Sequence, residues 1–333
     1  MRWLEMVIDV PPQAAEAAAA AILDVVETGL AWETRGHLVR LRAYLPEEGF
    51  EARYRALGER WRSVRHAFPA VGPWAPAVRA VNEEDWAGAW KQYFQPIRVG
   101  QRLLIVPSWR LEEAQPAPGE VRLILDPGMA FGTGQHASTR LALELVERSV
   151  DEGARAVLDV GTGSGILAIA AALLGAQRVT AIDIDPNAVR VARENAERNG
   201  VADRIRVLQA APADLLWSRA GITGQAGKPG EPEKGKESGE GDGAGEAARP
   251  GLPADLTVAN ITADVLAGMA ADLDRLTRPG GWMVLSGLLA GAAETEETAR
   301  RYAELGWQVA ERREAEGWEA LLLRRAGAAG RTR

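Results

Sequence analysis

From residue 156 to residue 304 the chain alternates apolar, strand-like runs with helical ones. AVLDV (156–160) is followed by a helix over 164–174, RVTAIDI (178–184) by a helix over 186–198, and RIRVLQA (204–210) closes this half. The pattern resumes with DLTVANI (255–261), a helix over 263–277, GWMVLSG (281–287) and a helix near 292–304. No other feature narrows the fold as much. Strands separated by helices cannot pair as hairpins, so they lie parallel, with the helices packed on both faces of a doubly wound α/β sheet. The closing run, WQVAERREAEGWEALLLRR (307–325), reads as two strands about a turn at Glu316-Gly317, which makes one terminal strand antiparallel.

Upstream, residues 1–80 read as a small N-terminal α/β unit. WLEMVIDV (3–10), HLVRLRAYL (37–45) and a strand near 77–81 flank an Ala-rich helix and a helix over 50–64, a β-α-β-β-α-β pattern of ferredoxin-like type. Residues 51–65 carry five arginines against two glutamates on that second helix. Residues 82–96 read as a connecting helix with Trp86, Trp90 and Phe94 on one face, and 97–333 as the second domain. Strand-like stretches at 102–109 and 120–127 lead into its first glycine loop. Residues 218–253 interrupt the alternation with Gly, Glu, Lys, Pro and Ala, and are read as an inserted, disordered loop that has too little apolar surface to offset its ordering entropy.

Composition removes several classes of chemistry. The chain has no cysteine, and its three histidines, His37, His66 and His136, are far apart, which argues against disulfides, thiolate catalysis and a zinc site. A net charge of −7 gives no bulk attraction to nucleic acid. No apolar run is long enough to span a bilayer and no secretory signal is evident, so no membrane partner is expected and a cytoplasmic location is.

Three segments carry candidate chemistry. The turn Gly161-Thr-Gly163-Ser-Gly165 joins a strand to a helix, where glycines let a ligand approach the backbone and helix amides face it. A dinucleotide fingerprint needs G-x-G-x-x-G, but Ile166 stands where the third glycine belongs, so a nicotinamide enzyme is disfavoured. Asp183, at the end of the next strand, can accept both hydroxyls of a ribose. A nucleoside without a pyrophosphate satisfies both features, and S-adenosyl-L-methionine is such a ligand. The earlier loop, FGTGQHAST (131–139), can fold over the same strand end. Phe131 would then cover the methionine or adenine part. Thr139 would bond the amino-acid end or else cap the helix, and His136 is either a proton acceptor or a cap. Asn260 in VANIT (258–262) can accept an N–H from an incoming amine, with the Ile261 carbonyl as its partner.

The ordered set FGTGQHAST, VLDVGTGSGILAIAA, AIDIDPNAV, ENAERNG and ANITADVL, with DWAGAWKQYFQP and IVPSW ahead of it, resembles the bacterial ribosomal protein L11 methyltransferase family. The resemblance implies a Rossmann-like class I methyltransferase domain and a small domain that holds the substrate protein. It also implies S-adenosyl-L-methionine as methyl donor and methylation of lysine side chains and the α-amine of a large-subunit ribosomal protein. The cofactor-binding positions it implies are Thr139, Gly161, Asp183 and Asn260; Gly163 and Phe131 join them from the reading of the loops, and Asn260 is the catalytic candidate. Gln135, Ser138 and Thr262 depart from the family pattern. Two alternatives remain open at this point: a class I methyltransferase acting on a different protein or small-molecule amine, and a silent cofactor-binding module.

Overall fold

The computed structural model of the chain describes residues 3–23, 25–26, 30–81, 94–126, 134–219 and 252–325. The N-terminal part forms a four-stranded sheet from β1 (Trp3–Val10), β2 (Leu30–Arg35), β3 (Leu38–Pro46) and β4 (Ala77–Val81), with α1 (Ala15–Leu23) and α2 (Phe50–Ala67) between them. The spatial order is β2-β3-β1-β4 and every pairing is antiparallel, which is the ferredoxin-like arrangement. Strand alternation separates two faces. Met6, Val10, Leu41, Ala43 and Leu45 bury against Ala18, Ile22, Leu57, Trp61 and Val64 of the helices. On the other face Glu5 is buried and accepts hydrogen bonds from Arg42, Arg79 and, at 3.0 Å, the Tyr44 hydroxyl. Burial would raise the Glu5 carboxyl, but these donors outweigh it and hold it below the usual glutamate range. The strand β2 is an addition to the sequence reading, and Arg55, Arg60, Arg62 and Arg65 lie on the exposed side of α2. Of the connecting helix read at 82–96, residues 82–93 lie outside the described residues.

A small three-stranded sheet follows. β5 (Ile97–Val99) is antiparallel to β6 (Leu103–Val106), which is parallel to β7 (Val121–Ile124). The two stretches read as strands ahead of the glycine loop thus pair with each other, apart from the main sheet. Side-chain clips hold them: Glu147 accepts from the Gln101 amide at 3.0 Å, and Asn199 pairs with both backbone groups of Ile124 at 2.7 and 2.8 Å.

The main sheet carries the alternation of α3 (Ala137–Asp151), β8 (Ala156–Val160), α4 (Ile166–Leu174), β9 (Arg178–Asp183), α5 (Pro186–Arg198), β10 (Ile205–Gln209) and α6 (Pro212–Arg219). It continues through β11 (Ala254–Asn260), α7 (Ala263–Gly268), α8 (Ala270–Leu276), β12 (Thr277–Leu289), α9 (Ala293–Glu304), β13 (Trp307–Ala315) and β14 (Trp318–Arg325). The single helix read over 263–277 is two, broken after Gly268, a residue that weakens helix propagation. The α6 helix was not anticipated, and of the segment read as an insertion, residues 220–251 lie outside the described residues.

The strand order is β10-β9-β8-β11-β12-β14-β13. The pairings from β10 to β12 are parallel, and β14 is antiparallel to both of its neighbours. Both faces are buried. Val157, Leu256, Val258 and Val284 face one apolar cluster with α3, α4 and α5; Leu158, Val160, Ala259 and Leu285 face another with α7, α8 and α9. The chain winds outward from β8 through β9 to β10, then returns to place β11 on the other side of β8. A crevice opens at such a reversal, at the carboxyl ends of the strands. Among the described residues no helix is long and apolar enough to cross a membrane.

Candidate functional site

The turn after β8 is held to its neighbour by backbone bonds: the Gly161 and Thr162 amides both donate to the Ile182 carbonyl, at 2.9 and 3.0 Å. Asp183, the last residue of β9, accepts from the Gly163 amide at 2.9 Å with one oxygen and from the Asp185 amide at 3.0 Å with the other. A carboxylate has about four acceptor sites, so two remain for a ribose. Asp185 itself caps α5 through the Asn187 amide at 2.9 Å. Beneath the turn, Asp159 accepts from the Thr162 hydroxyl at 2.6 Å and the Ala168 amide at 3.1 Å, both on one oxygen. Complete burial pushes the Asp159 carboxyl up to about 7; the Thr162 and Ala168 donors oppose the rise and the nearby Asp183 charge adds to it.

The three segments singled out in the sequence meet at this edge. Asn260, the last residue of β11, donates its amide Nδ2 to the Thr139 hydroxyl at 3.3 Å. A side-chain carbon placed on Gly161 would stand 3.1 Å from Cγ2 of Ile261. One placed on Gly134 would stand 2.7 Å from Cδ1 of Ile105 and 3.3 Å from Cδ1 of Ile166. Ile166, read as an obstacle to a pyrophosphate, therefore packs beneath the end of the first glycine loop. Phe131 lies outside the described residues.

Two oxygens at this edge stand out energetically. Among the described residues neither Asn260 Oδ1 nor Asp159 Oδ1 finds a hydrogen-bond partner, and both are buried. An unpaired buried acceptor costs about 1–3 kcal/mol unless a ligand supplies the donor.

The helix α3 starts at Ala137, and its cap is His136: Nδ1 accepts from the Ser138 amide at 3.2 Å and lies 2.8 Å from the Ser138 hydroxyl. The ring is mostly buried and stands edge-on to Trp318 at 4.8 Å. The geometry thus gives His136 the cap, not a solvated base. Thr139 is not the cap; it lies inside the first turn, fully buried, with its hydroxyl at Asn260.

With this geometry in place, comparison with known proteins adds a family. The chain matches the Ribosomal protein L11 methyltransferase (PrmA) family over residues 2–222 and 244–326. It belongs to the ribosomal protein L11 methyltransferase family. A ribosomal protein L11 methyltransferase of Pelotomaculum thermopropionicum is 37% identical over 97% of this chain and 99% of its own length. That of Chloroflexus aurantiacus is 40% identical over 97% and 98%. The crystal structure of a ribosomal protein L11 methylase from Lactobacillus delbrueckii subsp. bulgaricus superposes with a TM-score of 0.53 at 32% identity, covering 70% of this chain and all of that one. The family match omits residues 223–243, inside the segment read as an insertion, and includes Thr139, Gly161, Asp183 and Asn260.

Sequence reading did not single out other residues at this strand edge. Asp159 looks in sequence like an ordinary strand residue, and Ser286 and Gly287 read only as the end of a strand. A Ser-Gly pair inside a strand pattern does signal a bulge or a close backbone approach, and that signal was available.

Proposed function

We propose that this chain transfers methyl groups from S-adenosyl-L-methionine to amines of ribosomal protein L11, both lysine side chains and the α-amine. The observation that carries the proposal is the buried Asn260 Oδ1, which has no hydrogen-bond partner among the described residues, beside Thr139 and the Gly161 turn. This donor set fits the ligand. Asp183 would hold the ribose hydroxyls, Gly161 and Gly163 would let the nucleoside lie against the backbone, and Thr139 would meet its amino-acid end. Bound there, the cofactor supplies a methyl group already activated by a sulfonium charge.

The remaining work belongs to the chain. A lysine amine has a reference pKa of ~10.4, so presenting it neutral near pH 7 costs roughly 4–5 kcal/mol. Desolvation beside the like-charged sulfonium lowers that cost. Asn260 Oδ1 and the Ile261 carbonyl accept the amine's two N–H groups and aim its lone pair, which is the alignment that in-line transfer requires. The N-terminal sheet domain would grip the substrate protein, as the exposed arginines of α2 allow. The partner is the ribosomal protein and not RNA, in keeping with a net charge of −7, and the reaction belongs in the cytoplasm with the ribosome.

The test is incubation of the purified chain with isotopically labelled S-adenosyl-L-methionine and, separately, with ribosomal protein L11, the other large-subunit proteins and ribosomal RNA, followed by mass spectrometry. Label on lysines and the α-amine of L11 alone is the expected result. Label on RNA, or on other proteins with none on L11, would overturn the assignment.

A further inference from the structure

The strand β12 does not run straight past the tip of β11. Its pairing with β11 continues until Asn260 stands opposite Ser286. Its pairing with β14 slips: Leu285 faces Leu321, whereas Leu288 faces Glu319. Ser286 and Gly287 therefore stand together against Ala320, which is a β-bulge, a device that re-aims the backbone beside it.

Both residues touch the site from behind. Ser286 is fully buried and bonds in two directions. Its carbonyl accepts from the Ile261 amide at 3.1 Å, and its hydroxyl donates to the Ser138 carbonyl at 2.8 Å. Gly287 has φ +79°, and a side-chain carbon there would stand 2.7 Å from the Ile261 carbonyl oxygen and 3.0 Å from its carbon. One dipeptide thus contacts the helix turn that carries Thr139 and the peptide that follows Asn260.

We propose that the Ser286–Gly287 bulge is a positioning element for the methyl acceptor. Gly287 leaves the room in which the Ile261 carbonyl sits, and Ser286 fixes the spacing between Asn260 and Thr139 by bonding to the neighbour of each. Neither residue touches substrate in this scheme; both act through Asn260 and Ile261. The inference rests on the methyl-transfer reading above. Its physical basis is the steep dependence of transfer on alignment, since a displacement of about 1 Å can cost roughly 100-fold in rate.

Gly291 supplies an internal control. It has φ +70°, like Gly287, but nothing lies within 4 Å of its missing side chain. Gly291→Ala therefore imposes backbone strain alone, whereas Gly287→Ala adds pressure on the Ile261 carbonyl. In the full chain, with ribosomal protein L11 as substrate, both variants should lose thermal stability, Gly287→Ala the more because its added side chain also meets the Ile261 backbone. Only Gly287→Ala should lose kcat, by about tenfold or more, with the Kd for S-adenosyl-L-methionine within about threefold of wild type. Ser286→Ala should lower kcat by roughly three- to tenfold with the same Kd; should Gly287→Ala fail to fold, this variant decides the matter. Equal kcat for the Gly287 and Gly291 variants, or a loss of cofactor affinity that matches the loss of turnover, would overturn the positioning role. A wild-type chain without activity on L11 would instead overturn the parent reading and this inference with it.

Discussion

Asn260 carries a carboxamide whose two ends do different work. Its nitrogen donates to the Thr139 hydroxyl, and its oxygen is buried with no hydrogen-bond partner among the described residues. Asn260→Ala should therefore reduce kcat for L11 methylation by roughly 10- to 1000-fold, the range for loss of a positioned polar group in a reaction centre, with a smaller effect on cofactor Kd. Calorimetric titration beside steady-state kinetics separates the two, and unchanged turnover would reject the role. Asp159 makes stability depend on pH. Its carboxyl titrates at about 7 in the folded chain, against an ordinary 3.8. Between these values the folded state holds a proton that the unfolded state has released, so this residue's effect on stability worsens as pH rises from about 4 to about 7. Asp159→Asn keeps an acceptor for Thr162 and Ala168 but cannot ionise. Without cofactor, the variant's Tm should gain on the wild type as pH rises from about 4 to about 7. A constant difference across that range would show that burial does not raise the Asp159 carboxyl.

The element that delivers Thr139 is α3, and its start is set by an unusual cap. Histidine is not among the strong helix-capping residues, yet the buried imidazole of His136 satisfies the Ser138 amide. His136→Ala should lower stability by about 1 kcal/mol, the usual cost of a lost cap, and His136→Asn should restore most of it. The pH–rate profile for methylation should keep its shape in both variants. A lost limb of that profile would return His136 to the role of proton acceptor. The strand predicted from sequence ends at Gly287, whereas β12 continues to Leu289. Its alternation is interrupted at Ser286–Gly287, and a break in periodicity looks the same in sequence whether the strand ends or bulges. Only the β14 ladder, which resumes at Leu288, distinguishes the two.

Across the whole molecule the apolar residues fall into separate clusters. Residues from Met6 to Val71 make one core, and those of the main sheet make one on each face. A chain with residues 1–80 removed should therefore still fold and bind S-adenosyl-L-methionine, while its methylation of L11 falls to background if, as proposed, residues 1–80 grip the substrate protein. Binding measured by calorimetry and methylation measured by mass spectrometry test the two halves of this prediction. Full activity on L11 would place recognition in the catalytic part.

What was legible in advance was periodicity and spacing. The switch between runs of period 2 and period 3.6 dictated a parallel sheet, because the strands around each helix have no short route to antiparallel pairing. The G-x-G-x-G turn, the acid at the next strand end and the Asn-Ile-Thr segment lie within strongly patterned elements, so their placement at strand ends followed from local chemistry. Three-dimensional packing alone decided the rest. That Thr139 and Asn260, 121 positions apart, share a hydrogen bond depends on the chain returning across β8 to β11. That Ile166 supports Gly134, that burial raises the Asp159 carboxyl, and that Gly287 leaves room for the Ile261 carbonyl depend on contacts between distant segments. Local pattern selects which residues form a strand or a turn. Distances of 3 Å between side chains arise only when the buried faces of all the elements are satisfied together.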